Sequence, residues 1–296
     1  MPTTLNAALN DDVISQKALE AFTSELAPLS AFSTDFSADL AKKGDTVQVP
    51  LLANLTASTT ENDYETDTGS AGVVEVALNR YQKVTVGLTD RQFSESSAAT
   101  LELYAVQQAK AVARAVLADI WAIIINANFA AKTTKALGAF TSADPRAIRV
   151  ALTKADVPIN DRTLFLDPDY YDKLVGDTTI SIASALHYGG TEVVREGMIP
   201  RFLGFAMAES NIIPTAENLK GFAVHPSAIA IAMRTLKPQE PSEYLEARNV
   251  TDEKSGITLG YRRHYAAGKG KHFCTFEAVY GRSVGIAAGL HRIVSA

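Results

Sequence analysis

The longest helical pattern in the chain constrains its fold more than any other feature. An apolar stripe with a 3.6-residue period follows a capping serine at position 96 or 97 and runs to Ala131, with one polar interruption. A helix over 97–131 would be about 50 Å long, roughly three times the average length. Trp121, the only tryptophan, is predicted to anchor a core. The stripe consists of Leu101, Tyr104, Ala105, Gln108, Ala109, Val112, Val116, Ile120, Ile123, Ile124 and Ala127.

A change to a two-residue period before this helix predicts a long two-stranded ribbon. Val47, Val49 and Leu51 alternate with polar residues, and Pro50 argues against an interior strand. The returning strand is predicted to reach about 50 Å, at roughly 3.3 Å per residue. Because such a ribbon is marginal by itself in water, we expect its apolar side to lie on a neighbouring subunit. The apolar residues of the returning strand are Val74, Val76, Leu78, Val84, Val86 and Leu88.

The loop between the two strands is strongly acidic. No lysine or arginine occurs from Asn54 to Asn79. A solvated loop is one interpretation, and a contact surface for a basic partner is the other. The acidic residues are Glu61, Asp63, Glu65, Asp67 and Glu75.

The remaining segments predict an N-terminal arm and a mixed unit. Residues 1–44 have weak periodicity, with a short helix over 11–26, and we expect the rest of this arm to find its partners elsewhere. Residues 158–235 alternate short strands and helices, including a strand over 162–166 and helices over 168–175 and 178–186. The chain then returns to strands, predicted over 243–250, 257–265 and 272–280, and its last strand is predicted over 284–294.

Composition and motifs give no indication of an active site. The chain has 296 residues, and its net charge of −5 argues against a DNA-binding enzyme. The one cysteine, Cys274, excludes an intrachain disulfide. Neither a signal peptide nor a membrane span is expected. The five histidines lack zinc-ligand spacing, and Ser227 beside His225 lacks a nucleophile elbow. We therefore predict no catalytic residue, no cofactor and no metal.

The order of these elements resembles the major capsid proteins of tailed bacteriophages, whose Hong Kong 97-like fold is shared with encapsulin shells. Several short motifs, in their order and spacing, also look like that family. They are Lys43-Gly44-Asp45-Thr46-Val47-Gln48-Val49-Pro50, Tyr81-Gln82-Lys83-Val84-Thr85-Val86 running into Leu88-Thr89-Asp90, Gly197-Met198-Ile199-Pro200 through Gly204, Lys220 through Ala228, and Val279-Tyr280-Gly281.

The resemblance implies an α+β fold with a specific division of the chain. Residues 1–44 would be an N-terminal arm and 45–92 an extended loop. Residues 93–157 and 236–283 would form a peripheral domain with a spine helix over 97–131. Residues 158–235 and 284–296 would form an axial domain.

The resemblance also implies a structural role in a virion. Pentamers and hexamers would assemble in the cytoplasm of the host bacterium into an icosahedral shell around double-stranded DNA, without sequence-specific binding. About forty residues before the loop are few for a built-in scaffolding segment, so we expect a separate scaffolding protein, with a portal and a decoration protein as further partners. No lysine occurs from Asn54 to Asn79, so the lysine–asparagine crosslink of some relatives is not expected.

Charge complementarity leads to a contact hypothesis for such a shell. The acidic loop residues and Glu75 are expected to meet basic residues of another subunit. The candidates are Arg248, Arg262, Arg263, Lys269 and Lys271.

Two alternatives stay open at this point. An encapsulin-type compartment has the same fold but encloses a cargo enzyme. A soluble enzyme, with His187, Asp167 and His225 as participants in the 158–235 unit, belongs to a different class.

Overall fold

A computed structural model describes residues 4–40, 46–50, 73–95, 98–177, 199, 201–236 and 244–296 of the chain. The helix predicted over 178–186 lies outside the described residues. The described part has two mixed sheets, a short ribbon and helices packed between and beside them. The helices are α1 (Thr4–Glu25), α2 (Asp90–Glu95), α3 (Ala98–Trp121), α4 (Ala143–Lys154) and α5 (Pro168–Val175).

The first sheet has the order β1-β10-β13-β12-β11, and β4 pairs with the other edge of β13. Most of its neighbours are antiparallel, whereas β1 runs parallel to β10. Its strands are β1 (Ser33–Leu40), β4 (Arg80–Thr89), β10 (Ile229–Thr235), β11 (Glu246–Thr251), β12 (Thr258–Ala266) and β13 (Lys271–Val284).

The second sheet has the order β5-β14-β9-β6-β8-β7 and is covered by α4 and α5. Leu203 and Gly204, both at positive φ, form the turn between β7 and β8. The strand predicted over 284–294 is not continuous: Val284 ends β13, residues 287–289 form a 3-10 turn, and only residues 290–294 form a strand of the second sheet. Its strands are β5 (Lys132–Thr134), β6 (Thr163–Leu166), β7 (Arg201–Phe202), β8 (Phe205–Glu209), β9 (Leu219–Val224) and β14 (Leu290–Val294).

The N-terminal segment folds onto its own chain. Ile14, Ala18, Phe22 and Leu26 recur at four-residue spacing and are buried in the same core as α3. β1 then adds to the edge of β10. The helix predicted over 11–26 is present within α1 (Thr4–Glu25). The prediction that the rest of the arm finds its partners elsewhere is wrong for residues 27–40, because Leu29 and Phe32 are buried in the same core and β1 pairs with β10.

The predicted spine helix is α3, which ends at Trp121, ten residues before the predicted end at Ala131. Ile124 donates to the Trp121 carbonyl at 2.9 Å, and the Asn128 side chain donates to the Ile123 carbonyl at 2.8 Å. Asparagine side chains compete in this way with helical hydrogen bonds. The prediction of a helix over 97–131 is wrong beyond Trp121, because these local bonds and the burial of Ile124 and Phe129 favour a turn.

Trp121 anchors the core as predicted. Its side chain is fully buried, and its ring centroid lies 5.3 Å from that of Phe165 and 5.5 Å from that of Phe222. Since these phenylalanines belong to β6 and β9, the end of the spine helix joins the two sheets. At the same end, Asp119 accepts from Tyr280 of β13 at 2.8 Å and pairs with Arg80 of β4 at 3.2 Å.

The ribbon consists of β2 (Thr46–Pro50) and β3 (Val73–Ala77), paired antiparallel. The returning strand breaks at 78–79, and β4 then pairs with β13 over ten residues. The prediction of a single strand of about 50 Å is therefore wrong, and the expected burial of its apolar side against a neighbour is wrong for Val76, Leu78 and Val84. Val84 packs on the core beside α3, while Val76 and Leu78 pack on the opposite face of the first sheet.

The strand pairing also places two strands outside the segments to which the sequence-based division assigned them. β4 lies within 45–92 but belongs to the first sheet, and β10 lies within 158–235 but belongs to the same sheet. Both strands pair with β13, which is long enough to take β4 on one edge and β12 followed by β10 on the other. Such partners are distant in sequence, so local patterns do not reveal them.

Candidate assembly surface

The first sheet has one face covered by helices and one face that is partly open. Side chains alternate between the two faces along each strand. Tyr261, Phe276 and Tyr280 point into the core with α1 and α3. At one end of the opposite face, the base of the ribbon covers the sheet: Val49, Val76 and Leu78 pack on Ala230, Ala232 and Val279.

Gly281 allows the ribbon to cross the sheet. A Cβ atom at this position would lie 2.4 Å from the Ala77 carbonyl oxygen and 2.8 Å from the Val76 side chain. Real Cβ contacts are not that short, so the close approach requires glycine. The ribbon thus passes directly over the backbone of β13.

The remainder of the open face forms a groove of about 370 Å³ between β4, β13 and β12. Gly87 of β4 pairs with Phe273, and its missing side chain leaves room for the Phe273 ring, which would lie 2.6 Å from a Cβ there. The groove therefore has an aromatic floor with basic side chains around it. Its lining residues are Tyr81, Lys83, Thr85, Tyr244, Arg262, His264, Ala266, Lys269, Phe273, Thr275 and Glu277.

Glu277 is the only carboxylate among the lining residues, and its charge is already engaged. It is buried, pairs with Arg262 and accepts a hydrogen bond from the Tyr81 hydroxyl at 2.5 Å. Burial raises the pKa of Tyr81, and the hydrogen bond to Glu277 raises it further. The Arg262 guanidinium also lies over the Tyr244 ring, 5.6 Å from its centroid.

Two lysines at the groove have no ion-pair partner among the described residues. The Nζ atom of Lys83 lies 6.0 Å from the Tyr81 ring centroid, and that of Lys269 lies 5.9 Å from the Phe273 centroid. Both residues are exposed. Within the described ranges, neither lysine forms an ion pair.

Two of the other basic candidates, Arg263 and Arg248, lie on the helix-covered face of the first sheet and not in the groove. Arg263 points to the helix side and donates to Asp11 of α1 at 2.7 Å, and Asp11 also accepts from the Tyr261 hydroxyl at 3.0 Å. Arg248, also on that side, pairs with Asp12 and with Glu246. These two arginines therefore hold α1 against the sheet within one subunit.

Lys271 begins β13 and pairs in register with Thr89 and Ala266. It is half-buried and does not line the groove. Among the acidic candidates, Glu75 is exposed on β3 opposite Gln48. Glu61, Asp63, Glu65 and Asp67 lie outside the described residues.

Lys83 was missed by the sequence-based reasoning, as were its aromatic neighbours in the groove. A signal was present, because Tyr81, Lys83 and Thr85 occupy the positions that alternate with the apolar residues of β4. The pairing of β4 with β13 determines that these positions face the same groove as Lys269, and that pairing is not visible in the sequence.

The residues considered for an enzyme have structural roles or lie outside the described residues, as His187 does. Asp167 caps α5 by accepting from the Asp169 amide at 3.1 Å, and it pairs with Lys220 at 3.5 Å. His225 Nδ1 lies 2.8 Å from the Ser227 hydroxyl within a 3-10 turn. In the part of the chain that the structure describes, no cluster of three potential metal ligands occurs, and no helix there could cross a membrane.

Comparison with known proteins identifies the family. The family model described as phage capsid protein matches residues 72–280. The chain belongs to the phage capsid protein family. It is a structural protein, a major capsid protein of a tailed bacteriophage whose place is the capsid of the virion. None of the curated proteins matches this capsid protein significantly.

Solved capsid structures confirm the Hong Kong 97-like fold of this capsid protein. The capsid of Cyanophage P-SCSP1u superposes with a TM-score of 0.61 at 16% identity, covering 90% of this chain and 86% of that one. A structure from Mycobacterium phage Che8 gives 0.56 at 20% identity, covering 85% of each chain. The mature capsid of bacteriophage PhiM1 gives 0.57 at 10% identity, covering 90% of this chain and 86% of that one.

Proposed function

We propose that this protein assembles as pentamers and hexamers into an icosahedral shell that encloses the double-stranded DNA of a phage. The ribbon is the observation that carries this proposal. Among the described strands, β2 and β3 pair only with each other, and Val73 at the outer end of the pair is about half exposed. Two strands alone are marginal in water, and although Val49 and Val76 pack on the first sheet, the exposed end at Val73 would gain its stability from a neighbouring subunit.

In this proposal, the first sheet with α1 and α3 forms the peripheral domain of the subunit. The second sheet with α4 and α5 forms the axial domain, which would meet its copies around the five-fold and six-fold axes. Trp121, at the junction of the two sheets, would fix their relative orientation. The shell would act by assembly and not by catalysis, and it would need no cofactor.

The partners in this proposal are copies of the chain, a separate scaffolding protein, a portal and a decoration protein. The DNA would be enclosed without sequence-specific contacts, consistent with a net charge of −5. Assembly would take place in the cytoplasm of the host bacterium. The similar structures from Cyanophage P-SCSP1u and bacteriophage PhiM1 are phage capsids, which favours a genome over the enzyme cargo of an encapsulin-type compartment.

Sedimentation followed by negative-stain microscopy tests the proposal. The chain is produced alone and together with the scaffolding protein from the same genome, at low and high salt. Regular shells, or rings of five and six subunits, are the expected result. A monodisperse species near 31.7 kDa under every condition, with the scaffolding protein present, would contradict the proposal.

A further inference from the structure

A buried arginine ties the segment after α3 to the second sheet. Arg292 of β14 is 1% exposed. Its guanidinium donates to the Asn126 side-chain oxygen at 2.7 Å and to the Phe129 carbonyl at 2.8 Å, and its backbone amide donates to the Ala131 carbonyl at 2.9 Å. Segment 122–131 connects α3 with β5 of the second sheet. Arg292 therefore holds this connection in one conformation.

Glu217 supplies the counter-charge of Arg292. Its carboxylate pairs with the guanidinium and also accepts a hydrogen bond from the Asn126 amide at 2.7 Å. Within the ranges that the structure describes, Glu217 is the only carboxylate paired with Arg292. A buried cation that loses its counter-charge is strongly destabilised, so the conformation of this segment depends on one carboxylate.

The backbone beside this ion pair is held in a strained conformation. Glu217 and Asn218 have φ values of 55° and 57°, in the left-handed region that residues other than glycine rarely adopt. The Asn218 carbonyl accepts from the Ser295 amide at 2.8 Å, which helps to keep the turn in place. Strain of this kind persists only where surrounding contacts impose it. Loss of the ion pair would therefore leave the turn free to relax.

The elements packed against β14 offer Arg292 no second counter-charge among the described residues. Its register partner on β5 is Lys132, and its register partner on β9 is the apolar Phe222. Asp144 of α4, on the other face of the sheet, has its own ion pair at 3.2 Å. Neutralising Glu217 would therefore leave Arg292 buried and uncompensated.

His291, the neighbour of Arg292 on β14, is a second group that responds to acid. Burial lowers the pKa of His291, and the positive charge of Arg292 lowers it further. Its Nε2 atom lies 2.8 Å from the Thr133 hydroxyl. Because the folded state disfavours the protonated ring, the stability that the neutral ring contributes is complete above the ordinary histidine value of 6.5 and is lost as the pH falls below it.

We propose that Arg292, Glu217 and Asn126 form an acid-sensitive latch, which opens when Glu217 and His291 take up protons. Protonation of Glu217 removes the counter-charge of Arg292, and protonation of His291 adds a like charge beside it. The strained turn then relaxes, and segment 122–131 leaves the second sheet. The latch thus makes the connection between the two sheets depend on pH. It is a property of the single subunit and does not depend on the proposed shell.

The fluorescence emission of Trp121 tests the latch. This residue is the only tryptophan, and it ends α3 directly before the latched segment. In the unassembled wild-type subunit, its emission should shift to longer wavelength between about pH 7 and about pH 4, where histidine and carboxyl groups ordinarily titrate. The far-UV circular dichroism should stay native while this shift takes place, because the helices and strands remain formed.

The Glu217→Gln variant mimics the protonated latch at neutral pH. Glutamine has nearly the same size and can still accept from the Asn126 amide, so the variant should fold. Its Trp121 emission should already be shifted, and the amides of 124–131 should exchange with deuterium about tenfold or more faster than in the wild type. The matched control is Glu209→Gln, which removes the same charge at an exposed glutamate of the same sheet and should behave as the wild type.

The His291→Gln variant tests the second proton. Glutamine can keep the contact with Thr133 but cannot titrate. The shift in Trp121 emission should therefore move to lower pH than in the wild type. The same transition in both proteins would contradict the role of His291 in the latch.

Three further results would overturn the inference. Glu217→Gln could show wild-type emission and exchange at neutral pH, or Glu209→Gln could show the same changes as Glu217→Gln. Alternatively, the wild-type emission could shift only when the circular dichroism signal is lost, which would indicate global unfolding. All of these measurements use the unassembled subunit, so a failure to form shells would contradict the proposed function and leave the latch unaffected.

Discussion

At the scale of single residues, buried charged groups hold the N-terminal helix in place. Asp11 is 4% exposed and receives hydrogen bonds from Tyr261 and Arg263. Its neighbour Asp12 pairs with Arg248, but the Asp12 side chain is 55% exposed. Removing one member of a buried pair leaves an uncompensated charge, whereas an exposed pair is screened by water.

We therefore expect Asp11→Asn to lower the free energy of unfolding by about 3 kcal/mol. Asp12→Asn, the matched control, should cost less than about 1 kcal/mol. Urea denaturation of the unassembled subunit measures both values. Equal effects of the two substitutions would show that Asp11 does not hold α1 to the sheet.

Two histidines make the stability of the subunit depend on pH. Burial lowers the pKa of His291, and the nearby Arg292 lowers it further. Burial and then Arg162 have the same effect on the pKa of His225. Because the folded state binds fewer protons than the unfolded state, stability should fall as the pH drops below the ordinary histidine value of 6.5.

The His291→Gln variant tests this dependence at one site. Glutamine can keep a hydrogen bond to Thr133, which lies 2.8 Å from His291 Nε2, but it cannot titrate. The slope of unfolding free energy against pH below 6.5 should decrease, by at most about 1.4 kcal/mol per pH unit. An unchanged slope in urea titrations would contradict the role of His291.

At the scale of elements, the ribbon depends on one glycine. A side chain at Gly281 would collide with the Ala77 carbonyl and with Val76, so the ribbon would have to lift from its position over β13. This would uncover the apolar contact of Val49, Val76 and Leu78 with the sheet.

We expect Gly281→Ala to lower the free energy of unfolding by about 1–3 kcal/mol and to slow assembly. Gly268→Ala is the control, because a Cβ there meets no atom within 4 Å, and it should be neutral. Denaturant titration and light scattering during assembly measure the two effects. A Gly281→Ala variant with wild-type stability and assembly would show that the ribbon does not need this crossing.

The elements themselves were largely predictable from local patterns, but their partners were not. The helix over 168–175 and the strands near 163–166 and 258–266 follow directly from apolar periodicity and turn residues. The period of β3 and β4 was also visible. The change of partner at 78–79, from β2 to β13, was not visible, because β13 lies nearly two hundred residues later in the chain.

The basic residues of the candidate assembly surface were visible in the sequence, but their placement on the sheet was not. Arg262 and Lys269 were identified by their sign and position, and both line the groove. Arg248 and Arg263 have the same sign, yet they face α1, since strand register decides the side of each residue. Lys83 needed the β4–β13 pairing before it could be recognised.

At the scale of the whole molecule, the subunit combines one large packed core with two features on the open face of the first sheet, the ribbon and the groove. The core is held by α1, α3 and the junction at Trp121. The ribbon and the groove lie on the same face of the first sheet, opposite the helices. In a shell of many copies, weak and repeated contacts at these surfaces would sum to a stable assembly, and salt would weaken their charged part.

The most direct test of the shell is a cryo-electron microscopy reconstruction of particles assembled from this chain with its scaffolding protein. We predict rings of five and six copies, with the second sheet around the local axes. A particle without such rings, or with the second sheet far from every axis, would contradict the proposed assembly.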